Sequence, residues 1–479
     1  MKADTPYFVG IDIGTTSTKA MALTLEGKTL ALERASTPTL SPQAGFQEQE
    51  PEALLQAVME VLKKLARQLV APPAAMGMSC AMHSLIAADE AGAPLTNALL
   101  WSDRRSEKQA ERLKGTAEGR GFYKTCGTPI HPMSPLCKIR WMQEESSGIF
   151  QRTARFLSIK DYVLQRLCGE CRADISLASA TGLMDIRELN WRPEALAYAG
   201  IEEAQLPRLA SPTHTLVVNT EKLPARFRGV PIALGGSDGC LANLGSLALS
   251  PEELVLTIGT SGALRATRSE PIIDEDKQIF NYRLDEEWFV CGGAINNGGI
   301  TYQWLSELLG PGRLPEQAAS GLPAGAGGLL FLPYLLGERA PIWDANASGA
   351  FIGVRRHHGP AHFHRAVLEG VAFSLYHIFR GMPAAARQIT ANGGFTHSPL
   401  WIQIVADVFG LPVATDEQEE ASARGAAFVA MKAAGAIKDY RELLPLKRTE
   451  KVFEPNMENH RAYQKEFKRY LSLVALKFR

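Results

Sequence analysis

The sequence has no long hydrophobic run, no excess of charge and few cysteines. No apolar stretch approaches the ~18 residues of a membrane span, and the N-terminal residues lack the apolar core of a secretion signal. Acidic and basic residues number 51 each, which argues against nucleic acid or a membrane surface as a partner. Seven scattered cysteines fit a reducing compartment. These absences predict a cytoplasmic protein that binds small molecules.

A chain of 479 residues exceeds what a single core usually supports, so two domains are expected. A short polar link around Pro251 divides it, which predicts domains over residues 1–248 and 249–479. The sequence leaves homo-oligomer formation open, because the predicted C-terminal helix could pack within the chain or against a partner.

Two groups of potential metal ligands are each incomplete as a zinc site. Cys168 and Cys171 have the spacing of a zinc knuckle, but no second ligand pair follows nearby. A histidine group lies at a predicted loop and helix start without the acidic residue of a catalytic zinc helix: His357, His358, His362 and His364. We therefore predict no zinc site in either place.

The common nucleotide motifs, G-x-x-x-x-G-K-[ST] and G-x-G-x-x-G, are absent from the regions where a strand ends in a glycine turn. Instead, residues 7–28 predict a strand, a Gly-Thr-Thr turn and a returning strand, and residues 254–269 repeat this design around Ile-Gly-Thr. Glycine lets backbone amides converge on phosphate oxygens, and the hydroxyls add neutral donors. Either turn alone could be an ordinary hairpin, but the matched pair predicts two similar domains that clamp a nucleotide's phosphates.

A carboxylate, Asp238, follows a predicted strand in "LGGSDGCLANLG". By its position alone, this residue could equally cap the following helix, which is a common use of Asp.

Several long segments resemble the FGGY family of carbohydrate kinases. They are "MSPLCKIRWMQEE" at 133–145, "GAFIGVRRHHGPAHFHRAVLE" at 349–369, "NGGFTHSPLWIQIVADVFGLPV" at 392–413 and "EASARGAAFVA" at 420–430. The resemblance covers nearly the whole chain. It implies an α/β fold of two ribonuclease-H-like domains, as in the actin and Hsp70 superfamily, with a catalytic cleft between them. It also implies an enzyme that transfers a phosphoryl group from ATP to a sugar.

The resemblance assigns roles to individual residues. Asp238 would be the catalytic base, and Asp12 would hold Mg²⁺. The predicted nucleotide-binding residues are Gly14, Thr15, Thr16, Lys19, Gly259, Thr260, Ser261, Gly393, Gly394 and Phe395. Lys19 could instead be a solvated strand charge.

The acceptor side resembles the gluconate kinases of the family, which implies phosphorylation of D-gluconate at its 6-hydroxyl. Predicted substrate residues are Met82, His83, Trp101, Asp103, Arg104 and Lys138, with Arg105 and His131 as neighbours. An aldonate needs a cation for its carboxylate, and the sequence does not decide which one serves. Ser348 stands where related sequences often carry arginine, which leaves the preferred acid open.

Two alternatives remain at this point. Xylulose kinases share the Met-His pair, so a pentulose is the main competing acceptor. A non-enzymatic actin-like switch would keep the two hairpins, but it would not need Asp238 or the acceptor-side segments.

Overall fold

The computed structural model describes residues 6–276, 279–310, 312, 316–382, 385–415 and 420–477. Two halves each surround one large mixed sheet, and helices flank both sheets. The predicted α/β class is therefore confirmed. Within these ranges, no helix has both the length and the apolar character needed to cross a membrane.

The first half contains one long helix, several short ones and most of the two- and three-residue strands. Its strands are β1 Tyr7–Ile13, β2 Ser17–Thr24, β3 Thr29–Ser36, β4 Glu48–Gln49, β5 Ala75–Cys80, β6 Ile86–Ala88, β7 Ala98–Leu99, β8 Arg155–Leu157, β9 Ala173–Asp174, β10 Met184–Asp185, β11 Asn190–Trp191, β12 Leu209–Ala210, β13 Thr215–Val217 and β14 Pro231–Ser237. Its helices are α1 Pro51–Gln68, α2 Glu107–Leu113, α3 Ala117–Cys126, α4 Pro135–Glu145, α5 Ser147–Arg152, α6 Ile159–Cys168, α7 Ile175–Ser179, α8 Pro193–Ala199 and α9 Asp238–Gly245.

The second half contains longer helices. Its strands are β15 Glu253–Ile258, β16 Gly262–Arg268, β17 Phe280–Arg283, β18 Phe289–Ile295, β19 Leu330–Leu332, β20 Ala350–Ile352, β21 Gln388–Asn392, β22 Val413–Thr415 and β23 Lys451–Phe453. Its helices are α10 Gly299–Leu309, α11 Glu316–Ser320, α12 Pro360–Phe379, α13 Pro399–Phe409, α14 Ala421–Ala433 and α15 Met457–Lys477.

The two main sheets share the same central arrangement. The first has the order β13-β14-β5-β1-β2-β3, and the second has the order β17-β18-β16-β15-β21-β22-β23. In the first, β1 pairs antiparallel with β2 and parallel with β5. In the second, β15 pairs antiparallel with β16 and parallel with β21. The two predicted hairpins therefore occupy equivalent positions in related sheets.

Helix α14 comes from the second half of the sequence but packs against the first sheet. A Cβ atom added at Gly10 of β1 would lie 1.8 Å from the Ala423 carbonyl oxygen, and one at Gly77 of β5 would lie 2.1 Å from that of Ala426. Only glycine permits this approach of helix and sheet backbones. The alanine-rich sequence of α14 thus joins the two halves, while the domain limits 1–248 and 249–479 stay a prediction.

The C-terminal helix α15 packs within the chain. Its buried side chains include Tyr463, Phe467 and Tyr470, whose rings contact Phe373 of α12. This apolar face therefore belongs to the core of the second half.

Candidate active site

A cavity of about 230 Å³ lies between the two halves. The first half contributes Thr15, Met82, His83, Trp101, Met133 and Asp238 to its walls. The second half contributes Ser261, Gly262, Ala263, Arg265, Phe280, Tyr282, Ala294, Arg339 and Trp343. Residues from both hairpin turns and the carboxylate of "GSDG" thus meet in one place, which we call the acceptor cavity.

Asp238 is the first residue of α9, directly after β14. Ser237 occupies the N-cap position, so Asp238 is not the cap that its sequence position allowed. Its Oδ1 accepts a hydrogen bond from the Gly239 amide over 2.7 Å. Burial raises the pKa of the Asp238 carboxyl, and the nearby Arg265 charge opposes this rise. The group is a carboxylate whose basicity exceeds that of an exposed aspartate.

Asp12 lies near the end of β1, opposite Lys19 in the register of the first hairpin. Its side chain is buried, and its Oδ1 accepts a hydrogen bond from the Ser79 hydroxyl over 2.7 Å. Burial raises the pKa of Asp12 to about 6, with a further contribution from the Asp238 charge. No ion pair to Asp12 occurs among the described residues. A buried carboxylate in this state fits a hydrated Mg²⁺, which uses one or two carboxylates and substrate phosphates.

The two hairpin turns differ in exposure. In the first, Thr15 is partly buried, and its hydroxyl accepts a hydrogen bond from the Trp101 indole over 3.2 Å. In the second, Gly259 and Thr260 are exposed, and their carbonyl groups accept bonds from Gly299 and Ile300 at the start of α10. The start of α10 therefore fixes the carbonyl groups of the second turn, while Gly259 and Thr260 stay accessible to a ligand.

A second cavity, of about 450 Å³, adjoins the second hairpin. Its walls include the aromatic residues Tyr302, Phe395 and Trp401 and the hairpin residues Gly259 and Thr260, together with Gly394. Gly393 adopts a φ of +96°, and a Cβ there would lie 2.6 Å from the Ile258 carbonyl oxygen. Glycine is thus required at this position, where β21 turns toward the cavity. We call this space the nucleotide cavity, because four of the predicted nucleotide-binding residues line it: Gly259, Thr260, Gly394 and Phe395.

Comparison with known proteins identifies the architecture. Residues 7–245 match the sequence model of the N-terminal domain of FGGY carbohydrate kinases, and residues 254–434 match that of the C-terminal domain. The chain belongs to the FGGY family of carbohydrate kinases. It is therefore an ATP-dependent kinase with the two-domain actin-like fold that the sequence resemblance implied.

Individual FGGY relatives cover almost the whole chain. A gluconokinase from Bacillus licheniformis is 37% identical over 98% of this chain and 96% of its own length. The crystal structure of gluconate kinase from Lactobacillus acidophilus superposes with a TM-score of 0.93 at 32% identity, covering 99% of this chain and 98% of that one. Ligand-bound xylulose kinase from Lactobacillus acidophilus gives a TM-score of 0.94 at 33% identity, with 98% of both chains covered.

Three of the predicted substrate residues of this FGGY kinase, Met82, His83 and Trp101, line the acceptor cavity. His83 has a φ of +66°, which is uncommon for a residue with a side chain. Its Nδ1 donates to the Ala180 carbonyl over 2.8 Å, so that Nε2 is left as an acceptor near the Tyr282 hydroxyl. Burial lowers the pKa of His83 to about 3, which keeps the ring neutral.

The other three predicted substrate residues are not among those that line the acceptor cavity. Lys138 is fully buried and donates to the carbonyl groups of His83, Leu99 and Leu100. Asp103 is buried and accepts bonds from Gln47 and Arg105. The side chain of Arg104 is 40% exposed and binds Glu107 and Asn346. The polar groups of these three residues bind other protein groups around the cleft and do not face the cavity.

Lys19 also has a protein partner. Its ammonium group forms a 2.6 Å ion pair with Glu420, which precedes α14 and also binds Arg34. The alternative of a free, solvated strand charge therefore does not describe it. The pair links the first hairpin to the helix that joins the two halves.

Three polar residues that line the acceptor cavity were not predicted from the sequence: Arg265, Tyr282 and Arg339. Arg265 follows the second hairpin turn by a few residues on β16, and Tyr282 lies on β17. Arg339 lies in the segment "GERAP" at 337–341, and nothing in its spacing indicates the cleft. Alternation along β16 from Ser261 could have placed Arg265 on the cavity side.

Proposed function

We propose that this FGGY kinase transfers the γ-phosphoryl group of MgATP to the 6-hydroxyl of D-gluconate, giving 6-phospho-D-gluconate and ADP. The observation that carries the proposal is the presence of two guanidinium groups, those of Arg265 and Arg339, beside Asp238 in the acceptor cavity. Two cations suit an anionic acceptor better than a neutral sugar. The gluconokinase of Bacillus licheniformis, similar over almost the full length, supports the same acceptor.

The nucleotide would lie with its adenine in the nucleotide cavity, between Gly394 and the aromatic rings of Phe395 and Trp401. Its phosphates would then extend past Gly259, Thr260 and Ser261 toward the turn formed by Gly14, Thr15 and Thr16. Thr260 lines the nucleotide cavity and Ser261 lines the acceptor cavity, so the second hairpin connects the two spaces. This continuity supports a phosphoryl path from one cavity to the other.

Mg²⁺ would be held by Asp12, directly or through water, together with phosphate oxygens. When bound, it would neutralise charge on the phosphate chain during transfer. The Ser79 hydroxyl fixes the orientation of the Asp12 carboxylate through Oδ1. The second oxygen, Oδ2, is then left for the metal or its water shell.

In the chemical step, a carboxylate oxygen of Asp238 would accept the proton of the acceptor hydroxyl. The hydroxyl oxygen forms a bond to the γ-phosphorus as the bond from that phosphorus to the β,γ-bridging oxygen breaks, and ADP leaves with the electron pair. The acceptor cavity lies between the two halves, so their closure would exclude water from this step. Its product is a phosphate monoester, with the proton on Asp238.

A pentulose is the second candidate acceptor, because the xylulose kinase of Lactobacillus acidophilus has a comparable overall structure. The shared Met82-His83 pair favours neither sugar. A ketose has no carboxylate for the two guanidinium groups to bind, which is why we place gluconate first.

The proposal is tested by ADP release with MgATP and, in turn, D-gluconate, D-xylulose, L-ribulose and glycerol. We expect turnover with gluconate above all others and its loss in Asp238→Asn. Asp89→Asn is the control, because Asp89 caps a turn through Ala93 away from both cavities. Preference for a ketose would refute the gluconate assignment. If no acceptor increases the rate of ADP release, the proposed reaction is refuted.

We further propose that the enzyme works in the cytoplasm with these small molecules as its partners. The balanced charge and the cysteine usage support this location. Homo-oligomer formation stays a prediction that the molar mass in solution would test.

A further inference from the structure

The two arginines of the acceptor cavity differ in how they are held. Arg339 donates through Nε to the Asn296 side chain over 2.8 Å and through Nη2 to the Ile295 carbonyl over 3.1 Å. Its guanidinium group also stacks over the Trp101 ring, 4.6 Å from the ring centroid. Arg339 is therefore held in one orientation in the cavity wall, and two of its five donors are already used.

Arg265 has no such partners. Within the described ranges, no hydrogen bond or ion pair involves its guanidinium group. The group lies against the start of α9: a Cβ atom added at Gly239 would be 3.1 Å from Nε and 3.3 Å from Nη2. Glycine at 239 thus makes room for it beside Asp238. Its donors face the cavity, where the acceptor groups of a ligand can reach them.

The cations that the sequence suggested for this task are already engaged. Lys138 is surrounded by three backbone carbonyl groups, and Arg105 binds Asp103 and Glu48. Arg104 lies outside the cavity lining, bound to Glu107. Among these groups, Arg265 alone combines a place in the cavity with unused donors.

We infer that Arg265 binds the carboxylate of the sugar-acid acceptor and sets the preference for an acid over a neutral sugar. The inference rests on the proposed function, because it takes the acceptor to be an aldonate. A planar guanidinium group offers parallel N–H donors that match the two oxygens of a carboxylate. The residue is a specificity determinant on β16, contributed by the half that also binds the nucleotide.

One other role for Arg265 would fit its position. The charge could act on the transferring phosphoryl group or on Asp238 instead of on the acceptor carboxylate. The two roles differ in which ligand loses affinity when the guanidinium group is removed: the first affects gluconate, and the second affects the nucleotide and the rate with every acceptor.

The test compares wild type, Arg265→Gln and Arg265→Lys by calorimetric titration with D-gluconate, D-glucitol and MgADP. D-Glucitol replaces the carboxylate with a hydroxymethyl group and leaves the rest of the chain. The matched control is Arg268→Gln on the same strand, three residues away and therefore on its other face. We expect Arg265→Gln to bind gluconate roughly 100-fold more weakly, with MgADP and glucitol changed less than about threefold. Arg265→Lys should recover part of the loss, and Arg268→Gln should resemble wild type.

Equal weakening of gluconate and glucitol, or weakening of MgADP alone, would overturn the inference. The ADP-release assay of the wild type separates this failure from that of the proposed function. If wild type turns over gluconate but Arg265→Gln binds gluconate as tightly as wild type does, only the inference about Arg265 is wrong. If wild type turns over another acceptor and not gluconate, the proposed function fails and this inference fails with it.

Discussion

The Lys138 ammonium group donates to the main-chain carbonyl of His83 over 2.6 Å and to that of Leu100 over 2.7 Å. One buried side chain of α4 thus ties together the two loops that carry the cavity residues His83 and Trp101. Burial lowers the pKa of Lys138 to about 7, while the nearby Asp103 charge opposes this fall. Lys138 is therefore a positioning residue for the acceptor cavity.

Replacing this residue should affect both stability and acceptor binding. Lys138→Met removes one donor from the carbonyl groups of Leu99 and Leu100, which keep main-chain donors, and removes the Lys138 donor of the His83 carbonyl. We expect a loss of about 2–4 kcal/mol in the free energy of unfolding. The KM for gluconate should rise about tenfold because the His83 loop loses its anchor, with less change in the KM for ATP. Urea unfolding and steady-state kinetics measure the two effects. Lys108→Met, at an exposed position of α2, is the control. Unchanged stability of Lys138→Met would contradict the positioning role.

The raised pKa of Asp238 predicts how the rate depends on pH. A general base works in its deprotonated form, so kcat/KM should fall as the pH drops through that pKa. Because burial raises the pKa, this fall should occur at a higher pH than the ~3.9 of an ordinary aspartate. The Arg265 charge lowers the Asp238 pKa, so Arg265→Gln should move the fall to still higher pH. Rate profiles at saturating Mg²⁺ test this; a profile unaffected by Arg265→Gln would contradict the coupling.

Local patterns were sufficient for much of the fold. The two hairpins and the strand-to-helix turn at Asp238 each depend on a short sequence whose residues lie together in space. Alternating apolar residues and glycine turns encode such elements directly. The family resemblance then supplied the arrangement of the two halves, which periodicity alone does not contain.

The side-chain partners could not be predicted in the same way. Lys19 meets Glu420 across some 400 residues of chain, and Arg265 meets the helix that starts at Asp238. Lys138 was predicted as a candidate cation for the acceptor carboxylate, yet its side chain is fully buried among carbonyl groups. Each of these contacts depends on how distant parts of the chain pack together. The sequence around each residue therefore does not predict its partner.

Gly394 provides a direct test of the nucleotide cavity. A Cβ atom added there would meet no protein atom within 4 Å, and the residue lines the cavity. We therefore expect Gly394→Val to fold normally and to raise the KM for ATP at least tenfold, because the new side chain would occupy the proposed adenine position. The KM for the acceptor should change little. Initial rates with each substrate varied in turn measure this, and a normal KM for ATP would place the adenine elsewhere.

The contact between α14 and the first sheet predicts a large difference between two glycine substitutions. In Gly77→Ala, the added methyl group would lie 2.1 Å from the Ala426 carbonyl oxygen, which belongs to backbone and cannot rotate away. We expect a loss of about 3 kcal/mol or more, since helix and sheet must separate to accept it. Gly121→Ala in α3 adds the same methyl group where no atom lies within 4 Å, and it should stabilise by about 0.5–1 kcal/mol. Thermal unfolding midpoints of the two variants should thus shift in opposite directions. Similar midpoints would mean that α14 does not seat closely on β5, and that the halves are joined by other contacts.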